Sequence, residues 1–158
     1  MCLVIDTCCL TMVFDGNNQL HSGFQSVLRW ITGKGCMIYG GTKYNEELRR
    51  LTKILPLVVE LAKQRKAIQI ENPSVDAIAA QLKRKYPEDE FNDEHIVALV
   101  IASRCRVVCT NDNAAISYLR RPDVFAGSGA SRPSIYRGLR VHQRLCCDRN
   151  IVAVCQHR

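Results

Sequence analysis

The chain has 158 residues, 47% of them hydrophobic, and a formal net charge of +7. This length and apolar fraction are typical of a single domain with one core, so we expect residues 1–158 to form one domain. No apolar run reaches the roughly 18 residues of a membrane span, and Asp6 interrupts the first apolar stretch, which argues against a signal peptide; we therefore expect a cytoplasmic protein without membrane contact.

Short strands and helices alternate in the apolar pattern along the chain. The first half is predicted to contain a strand at 2–5, helices at 7–14 and 24–31, a strand at 36–39, a long helix from 42 that Pro56 bends or divides, and a strand at 67–70. The second half is predicted to contain a helix at 72–86, an acidic turn at 87–90, an apolar helix that begins at Asn92 or Asp93, a strand at 106–110, a helix from there to Arg121, and a final strand at 150–155.

This alternation predicts an α/β fold. Strands that are apolar almost throughout are typical of a parallel sheet covered on both faces, so we expect a three-layer sandwich with a mostly parallel central sheet of four to five strands flanked by helices. In such folds, function lies beyond the carboxyl ends of the strands.

The nine cysteines do not form a pattern of their own. Two pairs are adjacent and none matches the spacing of a zinc finger, so a zinc site is disfavoured. Most of the cysteines lie among valines, leucines and isoleucines, and we expect them to be reduced core residues.

Acidic residues follow or precede the predicted elements at the positions where function is expected. Asp6 directly follows the first strand and Asp112 follows the fourth, so both should lie at one edge of a parallel sheet. Asp93 opens the apolar helix that leads into the fourth strand, and Glu46 or Glu47 can point to the same edge one turn into their helix. Each aspartate also suits a helix cap or a turn when it is considered alone.

Carboxylates gathered in this way cannot all remain ionised unless cations neutralise them. Oxygen ligands with few histidines favour Mg²⁺ or Mn²⁺ over zinc. Two such ions can activate water and stabilise the leaving oxygen in phosphodiester hydrolysis. The acids therefore indicate a metal-dependent nuclease, whereas His95 is expected to be a surface or packed histidine rather than a general base.

The order and context of these acids resemble the PIN-domain nuclease family, which includes the toxins of bacterial toxin–antitoxin pairs. The resemblance covers residues 1–121 and is carried by the segments 3–7, 40–48, 92–99 and 107–112. It implies that Asp6, Glu47, Asp93 and Asp112 are the catalytic residues and bind Mg²⁺ or Mn²⁺. Thr110 is an auxiliary candidate, and the neighbours Glu46 and Glu94 leave the register open by one residue.

The C-terminal segment, 122–158, is rich in arginine and has no family motif. Between residues 120 and 158 the chain has eight arginines against two aspartates, so most of the net charge lies there. Guanidinium groups pair with phosphates and stack on bases, which favours nucleic acid as a partner, although a solvated basic tail is the alternative. The residues predicted to bind nucleic acid are Arg132, Arg137, Arg140 and Arg144.

Three functions remain open from the sequence. An endoribonuclease that uses two metal ions, as a toxin or as an effector of phage defence, is favoured. A DNA-directed nuclease of a defence system and a non-catalytic module of PIN-like fold that binds RNA or a protein are the alternatives. The resemblance also implies an antitoxin or defence-complex partner and a homodimer.

Overall fold

The structure, a computed structural model, describes residues 2–87 and 91–156, so most of the acidic turn predicted at 87–90 lies outside the described residues. The strands are β1 (Cys2–Ile5), β2 (Cys36–Gly40), β3 (Ala67–Ile70), β4 (Val107–Cys109) and β5 (Ser134–Tyr136). The helices are α1 (Thr7–Phe14), α2 (His21–Thr32), α3 (Thr42–Arg50), α4 (Leu55–Lys63), α5 (Asn72–Lys85), α6 (Glu94–Ser103), α7 (Asn113–Leu119) and α8 (Pro122–Phe125), followed by 3₁₀ helices at Arg140–Leu145, Asp148–Asn150 and Ala153–Cys155.

The five strands form one parallel sheet in the order β3-β2-β1-β4-β5. All four residues of β1 are fully buried, as expected of a central strand covered on both faces. Helix α6, buried over most of its circumference, packs against α5 and the sheet. The α/β prediction and the parallel sheet are thus confirmed.

The fifth strand differs from the prediction. The segment predicted as a strand at 150–155 contains 3₁₀ turns instead, and β5 lies earlier in the chain, where only three residues pair with β4. Buried Tyr136 anchors β5, because its hydroxyl donates a 2.8 Å hydrogen bond to the carbonyl oxygen of Gly23. Ser134 is exposed and Ile135 is half-buried, so β5 lacks the run of buried apolar residues that marks the equally short β4 in the sequence.

The connection from β2 to α3 requires glycine. Gly41 has a φ of +86°, and a Cβ on it would lie 2.7 Å from Cγ1 of Val75. Gly40 has a φ of +144° and its α-carbon faces the carbonyl of Ile70, so a side chain has no room there either. The two glycines let α3 start directly above the sheet edge, while Pro56 lies in the first turn of the separate helix α4.

The cysteines are mostly core residues, as predicted, but not all are reduced. Cys9, Cys36, Cys105 and Cys109 are buried. Cys2 and Cys155 form a disulfide across 153 residues of chain, so the expectation of reduced thiols is wrong for this pair. The two residues meet only because the C-terminal turns return to the start of β1, and no local pattern records that return.

Among residues 2–87 and 91–156, no helix is long and apolar enough to cross a bilayer.

Candidate active site

Asp6 lies at the carboxyl end of the central strand and is held by its neighbours. Its backbone N–H donates a 2.9 Å hydrogen bond to the carbonyl oxygen of Cys109, which brings the ends of β1 and β4 together. The hydroxyl of Thr110 donates to Oδ2 of Asp6 at 2.6 Å, and Oδ1 accepts a longer hydrogen bond from the N–H of Cys8 as the cap of α1. The carboxylate is 4% exposed, so its orientation is set by these contacts.

Asp112 lies at the same edge, beyond β4. Its Oδ1 accepts hydrogen bonds from the N–H groups of Ala114 and Ala115, at 2.7 and 3.2 Å, as the N-cap of α7. Its own N–H donates to the hydroxyl oxygen of Thr110 at 3.0 Å. The buried Thr110 hydroxyl therefore links the two aspartates, which gives a physical basis for its predicted auxiliary role.

Glu47, and not Glu46, points to this edge from α3. Tyr44 and Leu48 are the buried residues of the helix, and Glu47 lies beside them while Glu46 is exposed. The hydroxyl of Thr7 donates to Oε2 of Glu47 at 2.6 Å.

His95 lies beneath Glu47, with Nε2 3.3 Å from Oε2 of the carboxylate. This histidine is 3% exposed and makes no hydrogen bond to any described residue, so the contact is one of proximity. Burial raises the pKa of the Glu47 carboxyl, but nearby His95 and the hydrogen bond from Thr7 lower it, and the net effect is a pKa below the ordinary value. Glu47 is therefore ionised at neutral pH.

Asp93 is the fourth acid of the site, and its carboxyl has a raised pKa. It is the residue before α6, where its side chain makes no capping hydrogen bond. Burial, followed by the negative charges of Asp112 and Asp6, raises the pKa of Asp93 to about 6. The next residue, Glu94, is engaged elsewhere, since its Oε1 lies 3.2 Å from Nζ of Lys43.

These four acids line one cavity of about 350 Å³ that opens to solvent. Of the lining residues that the structure describes, only Arg50 is basic. The described residues that line it are Asp6, Thr7, Cys8, Glu47, Arg50, Leu51, Asp93 and Asp112. Residues that lie far apart in the chain thus converge, as predicted from their positions after strands and before helices.

No family model, curated protein or solved structure matches this chain.

The donor set of the cavity fits a hard divalent cation. All four acids offer oxygen, and within the described residues Asp6, Asp93 and Asp112 form no ion pair with a lysine, arginine or histidine. In the same part of the chain, no three of these acids bring ligand oxygens within 4.8 Å of one another, so they surround a space rather than form a closed cage. Mg²⁺ is commonly held in this way, by a few carboxylates and several waters.

Cys8 also lines the cavity but is not a candidate nucleophile. Its hydrogen bond with Cys9, at a sulfur–sulfur distance of 3.8 Å, and its burial raise the pKa of the Cys8 thiol well above the ordinary value. The attacking species in cysteine catalysis is the thiolate, which this environment disfavours. The acids remain the groups that can carry chemistry here.

The predicted arginines are divided between the two edges of the sheet. Arg137 follows β5 and so lies at the carboxyl edge, where its Nη2 is 3.3 Å from Oδ1 of Asn113, the neighbour of Asp112. Arg140 and Arg144 are exposed on the 3₁₀ helix that comes next. Arg132 precedes β5 and lies at the opposite edge, with its guanidinium 3.2 Å from the carbonyl oxygen of Arg120.

Sequence reasoning missed three residues of the site. Thr7 lies in the segment 3–7 but carries no predicted role, and Arg50 gives no signal, because a threonine after an aspartate and an arginine at a helix end are common surface residues. His95 was expected to be packed or exposed, and it is packed, but its contact with Glu47 depends on how α3 and α6 approach each other. Spacing within one helix cannot reveal a contact between two helices.

Proposed function

We propose that this protein is a metal-dependent endonuclease that hydrolyses phosphodiester bonds, with RNA as the favoured substrate and Mg²⁺ or Mn²⁺ as the cofactor. One observation carries the proposal: Asp6, Glu47, Asp93 and Asp112 line the same open cavity. The proposal agrees with the resemblance to PIN-domain nucleases, which also motivates it.

The acids have distinct parts in the proposed mechanism. Asp6 and Asp112 are held in place by Thr110, so they form the rigid part of the site. Glu47 is kept ionised by its lowered pKa, while the pKa of Asp93 is raised to about 6. These residues would hold the divalent cations, which supply activation of water and stabilisation of the leaving oxygen in phosphodiester cleavage. Hydrolysis of this kind leaves a 5′-phosphate and a 3′-hydroxyl.

The surroundings of the cavity suit a polyanion. Arg50 lies in the cavity wall, and Arg137 lies beside α7 at the same edge. Arg140 and Arg144 are exposed on the 3₁₀ helix that follows Arg137 in the chain. A strand could thus cross an open cavity with arginines along its course, which favours cleavage within a chain over removal of terminal nucleotides.

The test compares cleavage of labelled RNA and DNA with Mg²⁺, with Mn²⁺ and with chelator. Asp6→Asn and Asp112→Asn should abolish cleavage, because each removes a negative charge from the cavity. Glu46→Gln is the matched control, since it alters an exposed acid next to Glu47 and should leave cleavage unchanged.

The outcomes separate the alternatives. Cutting that persists in chelator, or in both asparagine variants, would contradict the metal mechanism. Cutting of DNA in preference to RNA would indicate the DNA-directed nuclease. Tight binding of RNA without cutting under any of these conditions would indicate the non-catalytic module.

A further inference from the structure

Three cysteine sulfurs meet at the edge of the sheet opposite the acidic cavity. Cys2 begins β1, Cys36 begins β2, and Cys155 lies in the last 3₁₀ helix. Their Sγ atoms all lie within 4.8 Å of one another, and in residues 2–87 and 91–156 no other histidine, cysteine, aspartate or glutamate side chains form such a group. Each of the three residues is at most 2% exposed.

The fold itself creates this cluster. Cys2 and Cys36 are paired residues in the parallel ladder between β1 and β2, so their side chains leave the sheet on the same face as close neighbours. Cys155 reaches them from the C-terminal turns. Cys105 is a further buried thiol at this edge, with its Sγ 3.3 Å from the carbonyl oxygen of Cys2.

The three sulfurs are close enough to act together. The structure pairs Cys2 with Cys155, and Cys36 places a third sulfur beside both. Three soft donors gathered in a dry site are the arrangement by which proteins bind thiophilic cations such as Zn²⁺ or Cu⁺. In a thiol-reducing compartment the disulfide is not the favoured state, and the reduced cluster would then be open to such an ion.

We propose that, when the disulfide is reduced, Cys2, Cys36 and Cys155 bind a single thiophilic metal ion that ties the C-terminal turns to the sheet. Reduction by a dithiol transfers two electrons and two protons to the disulfide, yields two thiols and converts the dithiol to its own disulfide. Metal binding then releases the proton of each thiol as it becomes a thiolate ligand. The disulfide and the ion are thus alternative links between the same two parts of the chain.

The C-terminal turns are the segment that such a link would stabilise. They contain no strand within the described residues, and Leu139, Val141 and Val154 are exposed there. A link from Cys155 to the first strand closes almost the whole chain into a loop, which restricts the unfolded state strongly.

Zn²⁺ is the probe for the test. The purified protein is treated with a water-soluble phosphine, which reduces the disulfide and becomes the phosphine oxide, and is then loaded with Zn²⁺ and desalted. We expect about one tightly held Zn²⁺ per chain by elemental analysis. Replacement by Co²⁺ should produce the near-ultraviolet charge-transfer absorption of thiolate ligands, which carboxylates do not give.

The variants separate this site from the acidic cavity. Cys36→Ser and Cys155→Ser should lose the ion and the absorption, whereas Cys147→Ser and the double variant Asp6→Asn, Asp112→Asn should keep both. Circular dichroism checks that each variant is folded. If Cys36→Ser does not fold, Cys155→Ser provides the test, because Cys155 lies outside the sheet. A reduced wild-type protein that holds no Zn²⁺, or a folded Cys155→Ser that holds as much as wild type, would overturn the proposal. Either result is independent of nuclease activity.

Discussion

Replacement of Thr110 by valine should destabilise both the fold and the site. Valine has nearly the same shape, so the change removes the hydroxyl while the packing is kept. The 2.6 Å hydrogen bond to Asp6 has a charged acceptor, and its loss costs about 1.5–3 kcal/mol. The N–H of Asp112 also loses its acceptor. We expect the free energy of unfolding to fall by about 3 kcal/mol, which corresponds to a decrease in melting temperature of roughly 6–12 °C for a domain of this size.

Thr110→Ser is the control, because it keeps the hydroxyl and removes only a buried methyl group, at a cost of about 1 kcal/mol. Denaturant unfolding of wild type and both variants measures the stabilities, and metal-dependent cleavage measures the site. Valine should reduce cleavage strongly, since Asp6 and Asp112 lose their common partner, while serine should retain most of it. If the valine variant is as stable and as active as the serine variant, the hydroxyl does not organise the two aspartates.

Three other changes follow from the geometry. The pKa of Asp93 is raised from 3.8 to about 6, so between these pH values the folded state binds more protons than the unfolded state. Without divalent cations, the free energy of unfolding should therefore fall as the pH rises from about 4 to 6. The variant Asp93→Asn should not show this fall. A denaturation series across pH measures it, and equal slopes for both proteins would contradict the assignment. Gly41→Ala should lower the free energy of unfolding by roughly 1–3 kcal/mol, because alanine is strained at a φ of +86° and its Cβ would contact Val75. If denaturant unfolding gives the same free energy for this variant and wild type, α3 can shift to make room for the methyl group. Arg137→Ala should weaken RNA binding and reduce the salt dependence of binding by about one phosphate contact. Arg132→Ala, at the opposite edge of the sheet, should change neither the affinity nor its salt dependence. If salt titrations give equal slopes for Arg137→Ala and wild type, Arg137 does not contact the RNA.

The sequence predicts the parts of this protein that depend on neighbouring residues. Runs of apolar residues mark the strands β1 to β4, and the aspartates that follow β1 and β4 mark one edge of a parallel sheet. Asp6 and Asp112 could be placed at that edge because each lies close in sequence to the strand that positions it. Their catalytic role stays a prediction until cleavage is measured.

Other features depend on contacts between distant segments. Glu47 faces the cavity and Glu46 does not because of how α3 packs on the sheet, and Glu94 is removed from the cavity by Lys43 of another helix. The short strand β5 forms only by pairing with β4. Because Arg137 follows β5 and Arg132 precedes it, Arg137 lies at the acidic edge of the sheet and Arg132 at the opposite edge.

Local pattern thus determines which segments are strands and helices and which acids follow them, because backbone preference and apolar periodicity act over a few residues. Only the tertiary structure decides which side chains share the cavity and which cysteines meet. Cys2 and Cys155 lie 153 residues apart, and their encounter is set by the path of the whole chain between them.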